Sequence, residues 1–171
     1  HTTTSGLERV GESQLVSFIG SNYQVSAAYT DGILELKLPL TYNGSWTDAD
    51  AATYDVNGNA AVRSGTITGS SNAFGTILIP GATDPIEILR VTTHLAETNN
   101  LGFAVITHKR DVVAFYTLWG KFPVLRTVAD SVTSSGITQV SRYSEWLDPS
   151  AVGIATVDAN AFGLQVRPNP V

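Results

Sequence analysis

The sequence contains no cysteine and no methionine. The first absence excludes a disulfide framework, thiol chemistry and a thiolate metal site, while leaving an oxidising exterior permitted. The second, in a chain that opens at His1, reads as a processed or excised piece. Charge is scarce too, at 15 % of residues against 43 % hydrophobic. That balance excludes disorder and leaves Thr, Ser, Asn and Gly to cover much of the surface. A neutral surface of this kind suits a subunit that lives beside other subunits or outside the cell. The net charge of -5 and the lack of a basic arm argue against a direct nucleic-acid partner. No apolar run reaches about 18 residues, so no membrane insertion is expected.

What the chain does have is alternation. In Gly32 to Leu40, Leu34, Leu36, Leu38 and Leu40 alternate with Ile33, Glu35, Lys37 and Pro39. Period two means a strand, here with a buried leucine face and a mostly wet opposite face. Pro39 cannot donate to a ladder and places the end of this strand at an edge or bend. Further strands are expected over Leu15–Ile19, Tyr23–Tyr29, Ala61–Thr68, Gly75–Ile79, Ile86–Leu95, Phe103–Thr107, Val112–Trp119, Ile137–Tyr143, Val152–Val157 and Phe162–Val166. Gly, Pro, Asn, Asp or Ser separates them. The best helical stretch is Val124–Val132; elsewhere Thr, Val and Gly recur too often for a sustained helical face.

Many short strands without alternating helices predict an all-β fold of one domain over residues 1–171. The expected architecture is an antiparallel two-sheet β-sandwich, with jelly-roll order favoured and an immunoglobulin-like or other sandwich as the alternative. Residues 1–11 and 167–171 read as extended terminal arms that are loose alone or dock on a neighbour.

The densest charge lies in His108-Lys109-Arg110-Asp111, between two apolar runs. Four polar residues between two central strands read as a hairpin tip, with charges that keep the hairpin from pairing wrongly. As a mobile basic tip it would touch an acidic partner, a sialylated glycan or a neighbouring subunit. Trp46, among the turn formers of Thr41 to Asp48, either stacks on a sugar or protein partner or folds back to plug the end of the sandwich. Trp146 in Arg142 to Ser150 raises the same alternatives. Asn43-Gly44-Ser45 is a glycosylation sequon.

No catalytic constellation emerges. His94 with Glu97 and His108 with Asp111 are three residues apart, a spacing that converges on a helix but diverges on a strand. His94 is expected beside Arg90 and Thr92 on one partly solvated strand face. There is no G-x-S-x-G elbow and no glycine-rich phosphate loop. Asp55, Asn57 and Asn59 match the first ligand positions of a calcium loop, but Ala60 replaces its turn glycine and Thr66 its bidentate glutamate. Asn57-Gly58 reads instead as a hairpin turn, with Asp48, Asp50 and Asp55 as weak calcium candidates. No cofactor is expected.

Composition and pattern together predict a non-enzymatic structural subunit of a virus particle, phage appendage or extracellular filament, assembling with identical subunits or other structural proteins. The alternative is a carbohydrate- or receptor-binding sandwich module that uses Trp46, His108, Lys109, Arg110 and Trp146. The expected location is the virion or the extracellular space.

Overall fold

The computed structural model describes residues 6–18, 21–56, 59–118, 122–147 and 165–167, with 14–18, 21–25 and 165–167 described by backbone alone. These residues form nine strands and no helix: β1 (Gly6–Phe18), β2 (Ser21–Lys37), β3 (Gly44–Val56), β4 (Asn59–Leu78), β5 (Ile86–Asn100), β6 (Val105–Tyr116), β7 (Leu125–Ser134), β8 (Ile137–Trp146) and β9 (Gln165–Arg167). The all-β expectation is met. β1 to β8 pair in chain order in one antiparallel sheet, and β9 adds to the end of β4.

Chain-order pairing is not jelly-roll order, and short connections explain it: two strands joined by a few residues are held side by side and antiparallel. Ser135 and Gly136 both take positive φ (51 and 79) and close the β7–β8 hairpin in two residues, as a type I′ turn requires. The β5–β6 connection is similarly tight, with Leu101 N–H donating to Ala104 at 2.8 Å. A second complete sheet is not found among the described residues.

The strands are longer than alternation alone predicts. Tyr23–Tyr29 and Gly32–Leu40 merge into β2, and Ala61–Thr68 and Gly75–Ile79 merge into β4. The helix expected over Val124–Val132 is strand β7, paired on both sides with β6 and β8. Its Thr and Val content fits a pleated surface better than a helix. Likewise, Gly6–Gly11 of the expected N-terminal arm is paired strand in β1. Residues 168–171 of the C-terminal arm, Trp119, Asn57-Gly58 and the strand expected over Val152–Val157 lie outside the described residues, as does most of Phe162–Val166.

The β1–β2 hairpin does not extend the sheet as a flat continuation. At spacings of about 4.8 Å per strand, β1 would stand roughly 19 Å from β5. Yet Arg9 of β1 donates to Glu97 of β5 at 2.6 Å. The hairpin is therefore folded over one face of the sheet. The corner is visible in the register: Tyr29–Gly32 of β2 stand opposite Val10 alone on β1, while Tyr29 and Asp31 pair with Ala52 and Ala51 of β3. Beyond that corner β2 runs across the inner face.

Apolar side chains fill the space beneath it. Ile33 packs on Ile67 and Leu95, and Leu36 packs on Trp46 and Val91. Ile33 was expected on the wet face, but it is completely buried. Ile33 and Leu36 are the buried positions of this segment, while Leu34, Leu38 and Leu40 are only partly buried, so burial does not follow the leucine alternation. A separate core lies on the outer face at the far end, where Ile77, Ile79, Ile88, Phe115, Val124 and Leu125 cluster.

Candidate functional site

Between the hairpin and the inner face the described strands place an array of charged side chains. In a chain this poor in charge, burying several in one layer is the most unusual feature of the structure. Register brings them there. Asp50, Gly65, Glu97 and His108 form one row across β3, β4, β5 and β6. The next rows supply Arg63 and Asn99 on one side, and Arg110 paired with Asp130 on the other. Gly65 opens the row, because a Cβ there would overlap an oxygen of Asp50 and come within 2.7 Å of Glu97 Cγ. From the hairpin come Arg9, Glu12, Tyr29 and Glu35.

Arg9 is the hub on the hairpin side. Its guanidinium reaches Glu97 at 2.6 Å, Glu12 at 3.1 Å and Glu35 at 3.0 Å, and lies over the Tyr29 ring. Arg63 is the hub on the sheet side. It pairs with Glu12 at 2.5 Å, donates to Tyr29 Oη at 2.6 Å and to Asn99 Oδ1 at 2.7 Å, and faces the Tyr29 and Tyr54 rings. Tyr54 donates to the same Asn99 oxygen. Such planar, multiply bonded guanidiniums are what a buried carboxylate cluster requires.

His108 bridges the remaining acids. Its Nδ1 meets Glu97 Oε2 at 3.1 Å and its Nε2 meets Asp130 Oδ1 at 2.6 Å. Ionised carboxylates only accept, so both ring nitrogens must donate, which makes His108 an imidazolium. The bond to Glu97, which outweighs burial, raises its pKa, and Asp130 raises it further. Burial alone would push Glu97 up, but His108, Arg9 and Arg63 prevail and hold it at about 2. Asp130 is likewise held down by Arg110 and His108 against its burial, and Glu12 by Arg63 against its own. Asp50 goes the other way. It is 3 % exposed, neither oxygen has a hydrogen-bond partner among the described residues, and burial together with the nearby Glu97 charge pushes its pKa up. Burial also drives the Tyr29 phenol up to about 12.

The sequence-derived candidates are dispersed. His108-Lys109-Arg110-Asp111 is not a hairpin tip but the middle of β6, paired with β5 on one side and β7 on the other. Alternation sends His108 and Arg110 to the inner face and leaves Lys109 and Asp111 exposed on the outer one. Trp46 is a buried strand residue of β3, not a loop aromatic. Its Nε1 donates to Leu34 O at 3.0 Å while Asp48 accepts from Leu34 N–H at 2.6 Å, so both side chains grip one residue of the hairpin. Trp146 is exposed on β8.

Asp48 and Asp50 share the inner face with that grip, whereas Asp55 is exposed on the opposite alternation. Among the described residues no group of three potential ligands could hold a metal ion. His94 lies on the outer face in contact with Asp111, opposite to Glu97 and His108, so the two histidines do not converge.

Sequence reasoning passed over Arg9, Glu12, Arg63 and Asp130, and met Glu97 only as a partner for His94. A signal was present. Arg63 shares a strand face with Ala61, Gly65 and Ile67, and Glu97 with Leu95 and Asn99, so each charge sits at an inward position of its strand. No family model, no curated protein and no solved structure matches the chain.

Proposed function

We propose that the chain is a non-enzymatic structural subunit that self-assembles into a virus particle, phage appendage or extracellular filament, with identical subunits or other structural proteins as its partners. The observation that supports this most is β8. All ten of its residues are exposed, its outer edge pairs with no described strand, and it carries Ile137, Val140, Tyr143 and Trp146 uncovered. Proteins that live alone blunt such edges with charge, proline or a covering element. A long apolar edge fits addition of a neighbour's strand, and the low charge of the whole chain fits the same life.

A two-sheet sandwich belongs to the same reading. The β1–β2 hairpin laid over the inner face is a partial second layer, and a neighbour's sheet packed on exposed surface would extend it. The test is light scattering over a concentration series on the protein and on the paired variant Val140→Lys, Trp146→Lys. A discrete assembly that falls to monomers in the variant supports the reading. A protein that stays monomeric at every concentration overturns it.

A further inference from the structure

We propose that the β1–β2 hairpin is held on the sheet by a proton-operated latch centred on His108, whose deprotonation loosens the hairpin. The inference stands apart from the assembly reading and rests on the inner-face cluster alone.

Charge balance is the first argument. The groups that meet in this layer are Arg9 and Glu12 from β1, Tyr29 and Glu35 from β2, and Asp50 and Tyr54 from β3. Facing them are Arg63 from β4, Glu97 from β5, His108 and Arg110 from β6, and Asp130 from β7. Five carboxyl groups thus confront three guanidiniums. A proton on His108 offsets part of this negative excess, and burial together with the nearby Glu97 charge raises the pKa of Asp50 in the same sense. An uncompensated charge in such a layer is strongly destabilising.

Geometry is the second. Glu97 joins the two halves of the latch, accepting from Arg9 on the hairpin and from His108 on the sheet. A neutral imidazole has a single N–H. It can serve Glu97 or Asp130 but not both, and the other carboxylate then faces a lone pair. Losing the charge also weakens the pull on the hairpin, where Glu12 and Glu35 outnumber Arg9.

The third is how little backbone pairing fastens the hairpin to the sheet. Its ladder to the sheet consists of Tyr29↔Ala52 and Asp31↔Ala51, at the corner. Beyond the corner, Gly6–Arg9 and Ile33–Lys37 pair with each other and are tied to the sheet by side-chain contacts, among them the Asp48 and Trp46 bonds to the Leu34 backbone. Buried Ile33 and Leu36 keep the segment seated, so losing the proton makes local opening more frequent without unfolding the sheet.

Hydrogen exchange followed by mass spectrometry at pH 5.5 and 8.5, with exchange times scaled for intrinsic rates, tests this on peptides spanning residues 6–12 and 33–37. The expected result is a several-fold loss of protection at the higher pH in these peptides, with β4 and β5 unchanged. His108→Gln should show the loosened state at both pH values. Asp130→Asn should move the midpoint of the transition to lower pH, which a purely structural role would not do. It also decides the matter if His108→Gln fails to fold. His94→Gln, on the outer face, should leave the response intact. Equal protection at both pH values in the unaltered protein, or an unchanged midpoint in Asp130→Asn, overturns the proposal.

Discussion

Arg9 and Glu97 lie 88 residues apart in the chain and 2.6 Å apart in space. Glu97 is almost wholly enclosed, with 2 % of its side chain exposed against 17 % for Arg9. Such a pair contributes less to net stability than its removal costs, because half a buried pair is an unsolvated charge.

Glu97→Gln should therefore destabilise the protein by about 3 kcal/mol, within the range for breaking a buried pair. Combined with Arg9→Met it should cost less than the sum of the two single changes, by about 1 kcal/mol or more, because the partners share one interaction. Urea midpoints for the four proteins of the cycle check this. Strict additivity would show that the two side chains act independently.

The same glutamate predicts an acid limb. Its pKa in the fold is about 2, below the ordinary value of 4.5. A lowered folded pKa contributes stability that is present above the unfolded value and lost as pH falls through the folded one. Stability should decline between about pH 4.5 and 2, with Glu97 responsible for on the order of 3 kcal/mol. Denaturant unfolding at stepped pH should show that decline reduced in Glu97→Gln. A limb of unchanged slope would assign it to other carboxylates.

Gly69 lies under the Trp46 ring, where an added Cβ would overlap the indole. Gly69→Ala should cost about 1–3 kcal/mol, the usual penalty of overpacking. It should also displace the indole N–H from Leu34 O, which is visible as a shift of that indole resonance. An unmoved resonance would mean that β4 yields instead of the ring.

Ile33 and Ile137 make opposite predictions from the same residue type. Ile33→Ala opens a cavity beneath the hairpin and should cost about 2–4 kcal/mol. Ile137→Ala, at a position 70 % exposed on the edge strand, should stay within about 0.5 kcal/mol under conditions where the protein is monomeric. Thermal melts of the two variants separate them.

Legibility followed the range of the physics. β5 was readable because Ile86–Leu95 is rich in Ile, Val and Thr and belongs to one strand. β3 was not, because Thr41–Asp48 is rich in turn formers and its strand character comes from pairing with β4 along its whole length. β7 was mistaken for a helix for a related reason: Val124, Val128 and Val132 recur at helical spacing, but the neighbouring strands dictate their conformation. The charged run at His108–Asp111 looked like a connection because charge usually marks solvent. Here His108 and Arg110 find their partners, Glu97 and Asp130, on the inner face of the neighbouring strands β5 and β7.

Local chemistry in the chain was enough to make it all-β, free of thiol chemistry and poor in charge, since β-branched content, alternation and composition act over a few residues. Which charges would be buried together was settled elsewhere. Arg9, Arg63, Glu97, His108 and Asp130 come from five strands, and they meet only because the register aligns their rows and the β1–β2 hairpin folds back over them. Excluding water from that layer turns scattered surface-type residues into one coupled, proton-holding cluster, and neither register nor overlay is encoded within any one strand.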